Sequence, residues 1–188
     1  GVDLVGILIS GADCLVDGGG FGTYSNGGTT RHAISITGAE CIVENISAAT
    51  TAGGGSSYDA VSVSGAYAIV RNVEVAASDN IAISITGSDG LIEGCMIFGS
   101  DAAGIVPNAP RIRILGNYLI NVGTYGIPTG TLGDNSIIIG NIFQDLGNNP
   151  WYIDASSEDC VVVGNRGDGA VVDNSGTSTV ASNDVTGF

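Results

Sequence analysis

Short stretches of alternating apolar and polar residues recur along the chain, each followed by a Ser/Thr-Gly step and a second apolar run. The clearest copies begin at Ile7, Ile34, Val61 and Ile83. Looser copies begin at Ile112, Ser136, Cys160 and Ser178. Brief alternation with β-branched side chains is typical of strands, and nothing sustains the 3.6-residue period of a helix. The pattern therefore predicts an all-β chain built from repeats.

The spacing of the repeats indicates a solenoid. The glycines that follow the first strands, Gly11, Gly38, Gly65 and Gly87, are 27, 27 and 22 residues apart. The LxxLxL skeleton of leucine-rich repeats is absent, which leaves a parallel β-helix with two or three short strands in each coil. We expect one domain over residues 1–188, with about seven to eight coils spaced about 4.8 Å apart. The glycines should mark sharp turns, often with φ > 0.

Alignment of the copies predicts columns of stacked residues. Apolar columns should fill the interior (Ile7, Ile34, Val61 and Ile83; Ile9, Ile36, Val63 and Ile85; Val16, Val43, Val70 and Ile92). A charged column should point outward (Asp17, Glu44, Arg71 and Glu93). Cys14 and Cys41 share a column, and we expect free thiols because parallel neighbours point their Cβ atoms alike, which suits a disulfide poorly. Cys95 and Cys160 complete the cysteines, and no CxxC motif occurs.

Asparagines recur once per coil, at Asn45, Asn72, Asn117, Asn141 and Asn165, with Gly94 in the missing slot. Stacked amides can hydrogen-bond along the column, and asparagine tolerates left-handed backbone geometry. We interpret these residues as one structural ladder.

Charge limits the partners. The chain has 19 acidic residues, five arginines and no lysine, for a net charge of −14. This balance argues against nucleic acids and anionic membranes as partners, because both require clustered cations. Such a composition either maintains solubility or reflects adaptation to high salt, as in proteins of halophilic archaea and their viruses. No apolar run is long enough to cross a bilayer. The repeats begin almost at Gly1, so we expect a piece of a longer or processed chain.

Four stretches carry a family resemblance: ISGADCLVDGGG (9–20), RHAISITGAECIVENI (31–46), DNIAISITGSDGLIEG (79–94) and RILGNYLINVGTYGI (113–127). They resemble the pectin-lyase-like superfamily of right-handed parallel β-helices, which includes polysaccharide lyases, polygalacturonases, C5-epimerases, NosD-type carbohydrate-binding proteins and viral tailspikes. The resemblance implies a right-handed helix, a frequent link to carbohydrate and, for viral members, homotrimers.

Longer coils indicate where a binding surface was added. Extra residues at 20–31, 49–59 and 143–152 precede first strands, so they should emerge along one edge. Arg31, Tyr58 and Asn80 should share a column there. A neighbouring column should hold His32, Asp59, Ile81, Tyr125 and Trp151, with Tyr152 beside it. Aromatic rings beside Arg, His and Asp suit a sugar-binding groove, or the rings simply cover the end of the core.

Few residues are candidates for catalysis or for binding a metal ion. His32 beside Asp59 is a possible oriented base, or both side chains satisfy loop backbone groups. Asp79 and Asp101 should lie about 5 Å apart in successive coils, a separation that a retaining glycosidase uses. The same pair could bridge Ca²⁺. We expect no other cofactor and no dedicated metal site.

The enzyme motifs of the superfamily are missing. Lysine is absent, as are the DPH motif of the epimerases and the NTD, DD and GHG motifs of polygalacturonases. The sequence therefore favours a non-enzymatic role outside the cell or on a virion: a homotrimeric spike, fibre or capsid decoration that contacts other virion proteins and host glycans or glycoproteins. Apolar residues on outward positions (Ile42, Ile69, Leu91 and Ile138) favour such assembly. The alternatives are a polysaccharide hydrolase or lyase using Asp59, Asp79 or Asp101, and a cellular surface protein that binds glycans.

Overall fold

The computed structural model is a stack of parallel strands without helices among the residues it describes, which are 6–26, 32–53, 58–129, 134–148, 150–153, 158–167, 172–173, 179–181 and 183. A typical coil contributes one strand to each of three sheets and then returns to the first. The sheets run along the length of the stack, so every strand pairs with the strands of the coils before and after it.

Sheet 1 consists of β1 (Ile7–Ile9), β4 (Ile34–Ile36), β7 (Val61–Val63), β10 (Ile83–Ile85) and β13 (Ile105–Pro107). Sheet 2 consists of β2 (Leu15–Asp17), β5 (Ile42–Glu44), β8 (Ile69–Arg71), β11 (Leu91–Glu93), β14 (Arg113–Leu115), β17 (Ile137–Ile139), β20 (Val161–Val163) and β23 (Thr179–Ala181). Sheet 3 consists of β3 (Gly20–Asn26), β6 (Ser47–Gly53), β9 (Glu74–Ala77), β12 (Met96–Ile97), β15 (Tyr118–Ile120), β18 (Ile142–Gln144) and β21 (Arg166–Gly167). A fourth sheet consists of β16 (Ile127–Thr129), β19 (Trp151–Ile153) and β22 (Val172–Asp173).

The predicted columns are confirmed. Ile34 pairs with Ile7 on one side and Val61 on the other, and Val61 pairs with Ile83. Apolar side chains from all three main sheets form one buried core, in which Phe143 is the largest fully buried side chain. The eight strands of sheet 2 agree with the expected seven to eight coils.

Two prolines explain why sheet 1 ends at β13. Ile105 N still donates to Gly126 O (2.9 Å), so β16 begins directly beside β13. The next two bonds of a parallel ladder would come from the amides of Pro107 and Pro128, and proline has no N–H to donate. The fourth sheet therefore continues the same side of the stack after a gap in hydrogen bonding.

The glycines after the first strands serve close packing, which corrects the expectation of positive φ. A Cβ atom on Gly38 would lie 1.9 Å from Gly11 O, and one on Gly65 would lie 1.8 Å from Gly38 O. Neither glycine has a positive φ. The left-handed residues of this turn come two positions later and are larger, for example Glu40 and Tyr67. The repeated glycine is needed because successive coils touch through their backbones there.

The asparagines form two columns, not one. Asn45 and Asn72 occupy the left-handed position directly after sheet 2, which Gly94, Gly116 and Gly140 fill in later coils. The other asparagines come one residue later, in the column of Ile46, Val73 and Cys95. Their side chains point inward and are buried, at Asn117, Asn141 and Asn165.

This inner column is a continuous amide ladder. The Nδ2 of Asn117 donates to Asn141 Oδ1 (2.9 Å), that of Asn141 to Asn165 Oδ1 (2.9 Å), and that of Asn165 to Asn183 Oδ1 (3.1 Å). Each Oδ1 also accepts a backbone N–H of the preceding coil, as from Asn117 N to Asn141 Oδ1 (2.9 Å). The predicted ladder is thus confirmed for this column.

Two expectations about outward and inserted residues need correction. Ile138 is fully buried, because it continues the core column of Val43; Ile137 and Ile139 are the residues facing outward. The segments 20–31 and 49–59 include long strands, since β3 and β6 pair in register over seven residues. The strand parts of these segments, Gly20–Asn26 and Ser47–Gly53, therefore belong to sheet 3.

The predicted charged and cysteine columns are also present. Arg71 pairs in register with Glu44 and Glu93, and its Nε is hydrogen-bonded to Glu44 Oε2. All four cysteines lie within the described residues and form no disulfide there, as expected. Burial raises the pKa of the Cys95 thiol to about 12, so this side chain acts as a small apolar core residue.

We predict that Gly65→Ala destabilises the fold by about 3 kcal/mol or more, because the new Cβ overlaps a neighbouring backbone that has no room to move. Gly20→Ala is the matched control, since nothing lies within 4 Å of the position that its methyl group would take and its φ is not positive. Urea unfolding measures both. Equal midpoints for the two variants would contradict the close-packing role.

The two asparagine columns should respond differently to substitution. Asn141→Ala removes the amide and leaves buried groups of its neighbours unpaired, so we expect a loss of about 3 kcal/mol. Asn72→Gly keeps a residue suited to left-handed geometry and should change stability by less than about 0.5 kcal/mol. Thermal unfolding distinguishes them, and a comparable loss in both variants would refute the structural difference between the columns.

Candidate functional site

The turns that lead from sheet 3 back to sheet 1 carry most of the candidate polar residues. Two inward serines hold these turns in shape: Ser78 Oγ donates to Ile81 O (2.7 Å), and Ser100 Oγ is within hydrogen-bonding distance of Ala103 O (2.7 Å). Because the inward serine hydroxyls bind backbone carbonyls, the adjacent Asp79 and Asp101 lie on the surface side of each turn. We call the segments 58–60, 78–82, 100–104 and 122–126 the return turns.

His32, Tyr58 and Asp59 meet at the N-terminal end of this edge. The rings of His32 and Tyr58 pack edge to face, with centroids 5.6 Å apart and an angle of 77°. The Asp59 N–H donates to His32 Nδ1 (3.1 Å). The distance from Nδ1 to Asp59 Oδ2 is 3.9 Å, which is beyond a hydrogen bond. The expected neighbourhood of His32 and Asp59 is present, and the hydrogen bond between them runs through the Asp59 backbone. A role of this pair as a base stays a prediction.

The Asp59 carboxylate ties one return turn to the next. It is buried and accepts hydrogen bonds from Asn80 Nδ2 (2.8 Å) and Ile81 N (3.4 Å). Burial raises the pKa of Asp59, and the nearby His32 and the Asn80 amide oppose that rise. Because both bonds go to the neighbouring coil, we interpret Asp59 as a positioning residue of the edge.

Asp79 and Asp101 lie beside an open cleft of about 440 Å³. They occupy equivalent places in successive coils, as predicted, because Asp101 N donates to Ser78 O (2.9 Å). Asp79 Oδ2 is buried and has no hydrogen-bond partner among the described residues. Burial, and secondarily the charge of Asp101, raise the pKa of Asp79. Asn121 and Gly123 line the cleft in the following coil.

Phe98 supplies an apolar wall to the same cleft, although the sequence pattern had not singled it out. Its side chain remains 41% exposed, and Met96 beside it is 43% exposed. The next coil presents Tyr118, whose hydroxyl is hydrogen-bonded to Gln144 Oε1 (2.6 Å). The signal was available in the repeats: extending the columns through sheet 3 places Phe98 and Ile120 on outward positions.

The remaining predicted site residues lie elsewhere or outside the described part. Arg31 is outside the described residues. Tyr125 lies in the return turn before β16 and is half-buried. Trp151 pairs with Ile127 and Tyr152 with Pro128, within the fourth sheet. This register places Trp151 two residues beyond the His32 column, so its assignment to that column is wrong. The longer coil before it shifted the alignment.

The described residues contain neither a clustered metal site nor a helix that could span a membrane. They include no group of three or more His, Cys, Asp and Glu that could hold a metal ion. Ca²⁺ between Asp79 and Asp101 would thus have only these two carboxylates from the described part, and it stays a prediction. No helix there is long and apolar enough to span a bilayer.

Stacked parallel sheets with a cleft on one row of turns define the class of the protein as a β-solenoid. A family model described as "Right handed beta helix region" matches residues 32–185. The chain therefore belongs to the right-handed β-helix family, which fits the resemblance to pectin-lyase-like proteins and establishes the hand of the coil. No curated protein and no solved structure matches the chain.

We predict that Asp79→Asn raises the melting temperature slightly at pH 7. The folded-state pKa of Asp79 is raised, so ionisation costs stability above that pKa. The advantage of the variant should shrink as the pH falls and vanish below about 3.9, the ordinary pKa of aspartate.

Asp89→Asn is the control, and we expect it to lower the melting temperature at pH 7, opposite to Asp79→Asn. The hydrogen bond from Arg111 lowers the pKa of Asp89, so this carboxylate stabilises the fold above its unfolded-state pKa. That stabilisation is lost as the pH falls through the folded-state pKa. Melting curves from pH 3 to pH 7 measure both variants. A lower melting temperature for Asp79→Asn than for the wild type at pH 7 would contradict the prediction, because it would show that the Asp79 carboxylate stabilises the fold.

Proposed function

We propose that this chain is a non-enzymatic β-helix that binds glycans through the cleft formed by Asp79, Asp101 and Phe98. The observation that carries the proposal is an exposed aromatic ring beside two carboxylates in one open cleft. An aromatic face packs against the C–H side of a sugar ring, while carboxylate and amide oxygens accept its hydroxyl hydrogens. Asn121 offers an amide next to the same space.

The charge of the cleft favours a neutral or amino sugar. Among the described residues, Asp79 and Asp101 line it and no arginine does, and the whole chain has a net charge of −14. A uronic acid or sialic acid would meet repulsion on approach. His32 and Tyr58 lie along the same edge in earlier coils, so a longer oligosaccharide could extend toward them.

The setting we propose is extracellular, on a virion or a cell surface, as a spike, fibre or capsid decoration that meets a host glycan or glycoprotein. The lysine-free acidic composition supports a high-salt habitat, where ions screen the self-repulsion of the chain. The missing enzyme motifs support a binding role. In this setting we expect a homotrimer that contacts other virion proteins.

Glycan binding is tested with a panel of immobilised neutral, amino and uronate-containing glycans. We expect the chain to bind a neutral or amino glycan, and Phe98→Ala to weaken that binding about tenfold through loss of the stacking ring. Leu8→Ala is the control: it removes an apolar side chain that is 58% exposed on the outer face of sheet 1, away from the cleft. No binding to any glycan, or equal weakening by both variants, contradicts the proposal.

A polysaccharide-active enzyme is the second candidate, favoured by one observation. The pKa of Asp79 is raised beside Asp101, and paired carboxylates with different proton affinities can act as acid and base on a glycosidic bond. Incubation with the bound glycans, followed by detection of new reducing ends or unsaturated products, tests it. Turnover that is lost in both Asp79→Asn and Asp101→Asn would replace the binding proposal with this one.

A further inference from the structure

The outer face of sheet 2 is unusually apolar for a solvent-facing surface. The seven strands from β2 to β20 present their first and third residues outward, so the described part of the face consists of two columns. The first column contains Leu15, Ile42, Ile69, Leu91, Arg113, Ile137 and Val161, and the second contains Asp17, Glu44, Arg71, Glu93, Leu115, Ile139 and Val163. Leu15 is 61% exposed and Ile139 is 40% exposed. Aliphatic residues thus run along the whole stack on this side.

The other two main sheets differ in their outward residues. Sheet 1 has one outward column, and Ser35, Ser62 and Ser84 occupy its middle. Sheet 3 also exposes Met96, Phe98 and Ile142, but Glu74 and Arg166 share the outward column of Met96 and Ile142, and Phe98 belongs to the Asp79–Asp101 cleft. Aliphatic side chains without neighbouring hydroxyl-binding groups do not suit a sugar, but they suit the centre of a protein interface.

Two shallow clefts border the face and add features of an interface. One, of about 400 Å³, lies between Tyr67, Arg111, Arg113 and Ile137. The other, of about 580 Å³, lies beside Leu115 and Ile139, where three left-handed glycines leave no side chains. Tyrosine and arginine are enriched at binding hot spots, and the clefts provide room for side chains of a partner.

The charge balance of this face favours a second copy of the chain as the partner. Three carboxylates (Asp17, Glu44 and Glu93) nearly cancel two guanidiniums (Arg71 and Arg113), although the whole chain has a net charge of −14. Two copies of so acidic a chain repel each other over most of their surface. On this face the charges nearly balance, so the repulsion is weak, and groups of both signs are available for contacts.

The size of the face is sufficient. Seven strands, each occupying about 4.8 Å along the stack, give a length of about 35 Å, and a strand with its flanking turn residues is about 20 Å wide. The resulting area of about 700 Å² approaches the roughly 800 Å² per partner of a standard interface.

We propose that copies of this chain associate through the outer face of sheet 2. The apolar columns are buried at the contact, and Arg71 and Arg113 pair with carboxylates of the neighbouring copy. This proposal names the face that an assembly would use and does not depend on glycan binding, which lies on sheet 3.

Light scattering coupled to size exclusion tests the proposal on the 188-residue chain in about 0.15 M salt. The expected mass is a multiple of 18.7 kDa. Ile139→Asp should shift the chain to the monomer, because it places an unpaired charge in the apolar contact. Ser62→Asp adds the same charge on the outer face of sheet 1 and should leave the mass unchanged. Circular dichroism establishes that each variant is folded.

Leu91→Thr is a second variant in case Ile139→Asp does not fold. It introduces a β-branched residue suited to a strand and adds no charge, and it should weaken self-association about tenfold. A wild-type chain that stays at 18.7 kDa at every concentration overturns the proposal. So does an assembly that Ser62→Asp disrupts and the sheet 2 variants leave intact. Glycan binding by a monomeric wild-type chain would overturn this proposal and leave the one about sheet 3 standing.

Discussion

Vertical register between successive coils is the constraint on which the whole structure depends. The same pairing that joins Ile34 to Val61 also aligns the backbone contact of Gly38 with Gly65 and the amide contact of Asn117 with Asn141. A shift by one residue would turn the core columns outward and place a side chain where two backbones touch. Because the return turns are connected directly to these strands, the cleft residues are positioned by the register as well.

The repeat pattern was sufficient to predict the core of the fold, because aliphatic residues at fixed spacing specify both the strands and their pairing. It was ambiguous at the two positions that follow each strand of sheet 2. Asn45-Ile46 and Gly116-Asn117 both contain an asparagine, and the sequence does not show that asparagine takes the left-handed position in the first pair and glycine in the second. Nor did it show that Gly38 is selected by a backbone contact from the next coil.

The candidate site was predicted less completely. Asp79 and Asp101 were found because their spacing equals one coil, and His32 was placed next to Asp59 for the same reason. Trp151 was misplaced because the coil before β19 is longer, and its extra residues shift the repeat spacing by two positions. Phe98 was overlooked because an aromatic residue in a short apolar run resembles a core residue, and only strand parity separates inside from outside.

The buried amide ladder gives the stack a direction. One N–H of Asn117, Asn141 and Asn165 donates to the asparagine of the C-terminal coil, so these amide-to-amide bonds all run in one direction along the axis. The second N–H of each amide donates to a backbone carbonyl of the N-terminal coil. In the first half, Ile46 and Val73 hold the same column by apolar contact alone. A Gly-Asn coil duplicated within the second half would find an asparagine on both sides. The same coil inserted between Ile46 and Val73 would still bind the backbone of the preceding coil, as Asn117 does beside Cys95, but one N–H of its buried amide would lack an acceptor. Lengthening of the stack by such a coil is therefore easier within the second half than within the first.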